Sequence, residues 1–377
     1  MKASSKTAAE LTWPQVHAFR LQRHHLDTRA PKKQLTRVVG DIGGAQAQVM
    51  SAAELQVATR VKCRVADVRT ALWTDRTLVK TWLMRGTLHL IPAEDLPLYT
   101  AAMSGRWMRL RPSWLKYMQT TESEFWKLAN DVGAALDGEP LTREELIAIV
   151  GKGQSPHIHE ILRSGWGGML KPAARSGLLC FGPSRGTSVT FVSPREWLGR
   201  WRDIDPDEAI VEIARRYLRA YGPATMNDFA RWWGAWPGVG QAAWSGLARE
   251  VVSVSIDGVP ADLMPADLDV IRKARLARRV MLLPSFDPYL MGYATRDHLV
   301  DKAFASKVSR IAGWISAVVL VDGRIAGTST HVQKNQALRL TGERFVNLDR
   351  EAKSELKDCG EALAEALGAT DVELKLG

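Results

Sequence analysis

The sequence predicts an α+β protein: three successive helical segments, each closed by a β-hairpin, then a β-rich, barrel-like tail. Three observations carry that prediction. Helical periodicity gives way to alternating, β-branched runs three times, at intervals of about 90 residues. Each alternating run has a glycine at its middle, in "LMRGT", "GPSRGTS" and "SIDGV", where a tight turn belongs. The last hundred residues are dominated by strands around the strong turn signal "VDGR",.

The elements follow in order. "TWPQVHAFRLQRHH" opens with Thr12 as a helix cap and Pro14 in the first turn,. "TRVVGDIGGAQAQ" reads as a second short helix rich in small residues. "SAAELQVATRV" has Ser51 and Glu54 in capping-box spacing,. "VADVRTALWTDR" continues as helix, and "TLVKTWLMRGTLHLIP" then alternates as two strands around Arg85-Gly86,. Three short helices and a hairpin are the order of a winged helix-turn-helix. The order recurs through "PLTREELIAIVG", capped by Thr142 with Glu145, to the hairpin "LLCFGPSRGTSVTFVSP". A third round runs from "DPDEAIVEIARRYLRAYG" to "VVSVSIDGVPADL". The predicted units are 11–112, 113–203 and 204–265, with 266–377 as the C-terminal β-rich domain. A capped terminal helix, "REAKSELKDCGEALAEALG", lies across that domain, followed by a short strand.

Composition narrows the class. The 377 residues are 46% hydrophobic and 24% charged, which excludes a disordered or collagen-like chain. Three scattered cysteines with no CxxC pair argue against a disulfide framework or a cysteine-rich zinc site, and suit a reducing cytoplasm,. No apolar run is long enough to cross a membrane, and the N-terminus lacks a secretory h-region. Lys plus Arg is 51 against 41 acids, a net charge of +10; that permits a nucleic-acid partner without requiring one. Tryptophan, at 14, outnumbers phenylalanine and tyrosine, and most of these rings are expected in the core.

Common catalytic signatures are missing: no GxSxG, P-loop, HExxH or GxGxxG opening a helix after a strand,. His157 and His159 in "SPHIHE" have no cysteine or aspartate beside them to complete a metal set, and a solvated turn is the expected role,. His24-His25 reads as a polar helix end. "SGRWMRLRPSW" sets Arg106, Arg109 and Arg111 beside two tryptophans. Either the guanidinium forks meet phosphates, or the segment is a solvated helix end with Trp107 and Trp114 packed inward. "GDIGGAQAQ" is harder to explain structurally, because a Gly-Gly pair weakens a helix unless a close approach needs it. Gln46 and Gln48 would diverge by about 200° on a helix, but converge at a helix end or bend.

Five stretches in order, "RVVGDIGGAQAQ", "WLMRGTLHLIP", "YLRAYGPATMNDFARWWG", "LLPSFDPYLMGYATR" and "VVLVDGRIAGT", resemble the winged-helix DNA glycosylases of the AlkZ/YcaQ type. The resemblance spans Trp13 to Gly327 and continues weakly beyond. It implies three tandem winged helices in a C-shape, closed by the β-domain, around double-stranded DNA. It also implies removal of N7-alkylated purines, including bulky adducts and interstrand crosslinks. The family's Gln-aliphatic-Gln pattern falls on Gln46, Ala47 and Gln48, as in the AlkZ branch, whose members often protect producers of DNA-alkylating natural products. The resemblance thus makes Gln46 and Gln48 the catalytic residues. N7 alkylation already makes the purine a good leaving group, so the site needs to place a water and little more. Two neutral amides do that with acceptors and donors and without a charge. No Schiff-base lysine, metal or cofactor is expected, and no strand nicking. Bulky or crosslinked bases need not be flipped into a tight pocket.

Arg85, Thr87 and His89, on the first hairpin, are expected on one strand face. There they contact the duplex, or Thr87 and His89 simply pack the hairpin. Asp287 in "PSFDPY" is expected in a structured turn, with a DNA-facing role open. The chain is expected to act as a monomer, with its positive charge gathered on the DNA-facing side. The competing readings are a winged-helix transcription regulator and a repair scaffold, since fold alone does not give function.

Overall fold

Each predicted hairpin forms. Leu78–Trp82 pairs antiparallel with Leu88–Pro92, Cys180–Arg185 with Ser188–Val192, and Val252–Ile256 with Val259–Leu263. The computed structural model describes residues 9–105, 110–234, 236–277 and 279–377. Two compact units result: residues through Arg69 together with Ala214–Gly377, and Thr70–Ile213.

The Thr70–Ile213 unit contains the first two hairpins. Its helices are fixed by capping boxes at Thr121 with Glu124 and at Thr142 with Glu145, where each threonine accepts from the backbone of the residue three on. Its core gathers Trp82, Phe125, Phe181 and Phe191 with leucines and alanines from the surrounding helices. Trp82 is 2% exposed, and a fully buried ring of this size contributes about 1.5–3 kcal/mol. The segment 156–163 is a helix capped by the Ser155 hydroxyl, where a solvated turn was expected; His157 Nε2 lies 3.0 Å from the Tyr117 carbonyl.

The other unit holds the third hairpin and the β-rich tail. Glu10–Leu11 adds a parallel strand to the third hairpin. Asp257-Gly258 and Asp322-Gly323 turn their hairpins with positive φ at both positions, the geometry that matches strand twist. The tail is one five-stranded sheet, from Val280–Leu283 through Ala317–Val321, Arg324–Lys334 and Ala337–Arg344 to Asp371–Leu376. Its first and last strands are edges, so the barrel-like expectation resolves to an open sheet among the described residues. The terminal helix Arg350–Leu367 begins on an Asp349 cap, ends at a left-handed Gly368, and packs Ala352 and Leu356 against Val280 and Val319.

The second predicted helix is shorter than expected. It spans Leu35–Asp41 and stops before the glycines. The third, Met50–Arg60, is capped by Val49, without a side-chain cap, and not by Ser51. Glu54 is turned instead into an ion pair with Arg69, 2.6 Å long. Among the described tryptophans only Trp82, Trp232 and Trp233 are buried; Trp166 and Trp314 are exposed and the others are half-buried, so fewer of these rings lie in the core than expected. All three cysteines are free thiols. No helix among the described residues is long and apolar enough to cross a membrane.

Candidate active site

The glutamine loop starts where the Leu35–Asp41 helix ends. Gly43 and Gly44 both have positive φ, 70° and 95°, which glycine adopts without steric cost. A Cβ at Gly43 would lie 3.0 Å from Trp232 Cζ2 and 3.6 Å from Tyr221 Cε2. The Gly-Gly pair therefore answers both a turn and a close approach. The Tyr221 hydroxyl donates to the Ile42 carbonyl at 2.8 Å, and His25 Nε2 meets the Asp41 carboxylate at 2.9 Å. His24, read as a polar helix end, is fully buried between Tyr221 and Tyr289.

Past the glycines the chain is extended at Ala45–Gln46. Two consecutive left-handed residues end the helix, so the helical 200° divergence of the glutamines does not arise. The strand ends at Gln46 and Gln48 lies in the bend that follows, so strand alternation does not set the relation of their side chains either. Gln46 is buried, Ala47 between the glutamines has no exposed surface, and Gln48 is exposed. A buried amide thus precedes an exposed one on a loop whose ends are anchored.

Gln56 holds that loop. Its Nε2 donates to the Gln46 carbonyl at 3.2 Å and to the Ser285 carbonyl at 3.1 Å. Gln56 is itself fully buried. Directly below, Arg60 and Asp287 form an ion pair with 0% exposure on both sides. Arg60 Nη1 and Nη2 reach the two carboxylate oxygens at 2.8 and 2.6 Å, and Nη1 also donates to the Gln56 carbonyl at 2.9 Å. Asp287 Oδ1 accepts from the Tyr289 amide at 2.9 Å. The "PSFDPY" turn is therefore structured, as expected, but Asp287 faces the interior and not a ligand. Sequence reasoning missed Gln56 and Arg60. Their available signal was position: polar side chains on the inward face of a helix, beside Leu55 and Val57.

Gln56→Leu removes the amide that donates to the Gln46 carbonyl and to the half-buried Ser285 carbonyl. Each unsatisfied group costs about 1–3 kcal/mol, so a lower urea midpoint and slower base excision are expected together. An unchanged midpoint would show that water or another donor replaces the amide.

The other predicted residues lie in the Thr70–Ile213 unit. Arg85 sits in the hairpin turn Met84–Gly86, with φ 58°, and not on a strand. Strand alternation consequently does not place it with Thr87 and His89. Hydrogen bonds do: His89 Nε2 lies 3.3 Å from Arg85 Nη2, and Nδ1 lies 3.0 Å from the Thr87 carbonyl. The carbonyl must accept, so Nδ1 carries the proton and Nε2 accepts from the guanidinium. His89 is 2% exposed, and burial, then the Arg85 charge, pushes its pKa down to about 3. It braces Arg85 from inside the hairpin. Arg111 is exposed at the start of the Pro112–Met118 helix. Arg106 and Arg109 lie outside the described residues.

The histidines give a pH prediction. Like His89, His17 is held near 3, chiefly by burial and then by Arg20, and His298 near 2, also chiefly by burial and then by Arg20. The unfolded chain takes up these protons below about pH 6.5 while the folded chain does not. Their contribution is complete above pH 6.5 and is lost as pH falls towards 3. Tm is expected to drop between pH 7.5 and pH 5, and less so in His89→Gln; equal drops would place His89 in contact with water.

The family model described as DNA glycosylase AlkZ-like matches residues 39–366. The chain belongs to the AlkZ-like DNA glycosylase family. Within this AlkZ-like chain, the matched stretch includes the glutamine loop, Gln56, Arg60 and Asp287. A protein of Streptomyces sahachiroi named interstrand DNA cross-link repair glycosylase is 38% identical over 325 residues, 84% of this chain and 87% of that protein. The solved structure of the Streptomyces sahachiroi DNA glycosylase AlkZ superposes with a TM-score of 0.87 at 34% identity, covering 98% of this chain and all of that one.

Proposed function

We propose that this chain is a monofunctional DNA glycosylase that hydrolyses the N-glycosidic bond of N7-alkylated purines in duplex DNA, interstrand crosslinks included. The observation that carries the reading is the anchored loop presenting exposed Gln48 beside buried Gln46. The family membership and the relative's cross-link repair name support it. In this reading Gln48 and Gln46 orient a water towards the anomeric carbon as the cationic purine departs. Neutral amides are weak general bases, so the reaction is confined to adducts that are already labile.

The helix-helix-helix-hairpin segments act as winged helices on the duplex. The first hairpin contacts it through Arg85 with Thr87, while His89 supports the arginine from beneath. Arg106, Arg109 and Arg111 add phosphate contacts. The protein works as a cytoplasmic monomer, and self-resistance to a DNA-alkylating natural product is its biological setting. Incubation with a defined N7-alkylguanine duplex tests this: free modified base is released and the strand stays uncut until heated with alkali. Tight duplex binding with no released base would favour the transcription-regulator reading instead.

A further inference from the structure

A second feature of the Thr70–Ile213 unit lies outside the glutamine loop. A cavity of about 360 Å³ is lined by Arg111, Trp114, Phe125, Lys171 and Arg175, with apolar residues completing the wall. Three lining side chains are cationic and none is acidic. Lys171 and Arg175 are four apart on the helix Lys171–Arg175, and so lie on one face. Neither forms an ion pair among the described residues, and Arg175 Nε is buried without a hydrogen-bond partner. The hairpin turn comes close to both: a Cβ at Gly86 would lie 3.2 Å from Arg175 Nη2 and 3.8 Å from Lys171 Nζ. Trp114 stands edge-on to Phe125 at 5.0 Å.

Such an arrangement works against the empty protein. Like charges four apart on a helix destabilise it, and burying a cation without a counter-ion costs more. The strain shows in the titration: burial, then the Arg175 charge, holds Lys171 below the usual lysine range, and burial lowers Arg175. An anion placed between the two groups reverses both effects. Guanidinium and ammonium together suit phosphate, the first by its planar fork and the second as a point charge. The space exceeds what a bare phosphate fills, and the Trp114 and Phe125 rings offer a wall for an attached sugar or base.

We infer that Lys171, Arg175 and Arg111, walled by Trp114 and Phe125, form a binding site for the phosphate of a nucleotide unit. The source of that phosphate rests on the duplex-DNA reading above: it is a backbone phosphodiester. A free phosphomonoester has the same chemistry, and the test separates the two.

The full chain is compared with Lys171→Gln/Arg175→Gln in two measurements. The first is affinity for an undamaged duplex across a salt series. The double variant is expected to bind about tenfold more weakly, with a log–log salt slope shallower by about 1. Excision at limiting protein should fall in step with the lost affinity. The second measurement is the Tm shift produced by adenosine monophosphate. A shift in the wild type that the double variant lacks, with equal duplex affinities, assigns the site to a free phosphomonoester. Equal duplex affinity and no shift in either protein overturns the phosphate site. Without ligand the double variant should melt at or above the wild type, because repulsion is removed, and Lys171→Arg should keep binding. A lower unliganded Tm accompanied by weaker binding would mark the pair as structural and also overturn the inference. The duplex carries no lesion, so a chain that excised nothing would still show the binding loss.

Discussion

Gln48→Ala is expected to lower the single-turnover rate of excision from an N7-alkylpurine duplex by about 100-fold, the scale of losing correct placement of a reactant. Two accompanying results make the loss chemical. Gln48 is exposed, so its truncation should leave stability within about 0.5 kcal/mol of the wild type. Duplex affinity should change little, because the interaction lost is one made in the transition state. Gln46→Ala should also slow excision, with some loss of stability because Gln46 is buried. The double variant should be little slower than the worse single one, since residues acting on one water are not additive. Excision at wild-type rates by both single variants would move the active site elsewhere.

The second large effect concerns the Arg60–Asp287 pair. Replacing Asp287 with Leu leaves a guanidinium with 0% exposure facing an apolar group. Removing one partner of a buried pair typically costs about 3–5 kcal/mol. The midpoint of urea unfolding, followed by tryptophan fluorescence, should fall accordingly. Arg60→Met/Asp287→Leu should recover much of the loss, because no isolated charge remains. A double variant as unstable as the single one would show that the pair's hydrogen bonds, and not its charges, carry the stability. Excision should suffer in Asp287→Leu, because Arg60 also donates to the Gln56 carbonyl and Gln56 supports the loop.

Local chemistry explains which parts of the architecture were legible beforehand. Thr142 with Glu145, and the Asp-Gly turns at 257–258 and 322–323, act through neighbours in the chain, so spacing alone reveals them. The Ser51–Glu54 spacing misled for the same reason. It looked like a local cap, but a distant partner, Arg69, claims the glutamate. The turn at Arg85-Gly86 is legible in the sequence, but alternation cannot carry a left-handed turn residue onto one strand face with Thr87 and His89. Gln46 and Gln48 could be picked out through the glycines before them and the resemblance they carry. Gln56 carries only a positional signal, and Lys171 and Arg175 carry none, because their roles come from residues far away in sequence, Ser285 for the first and the hairpin turn for the other two. Burial of polar groups is a tertiary property, and periodicity reports only the apolar side of it.

The three free cysteines share a chemical property that their burial gives them. The thiolate is the form that reacts, and this chain keeps its thiols protonated. Burial raises Cys63 and Cys359 to about 11 and Cys180 further still. At neutral pH about one molecule in ten thousand carries a thiolate at either of the first two positions. The three thiols are therefore poor nucleophiles at neutral pH, and burial, rather than a partner, makes them so,.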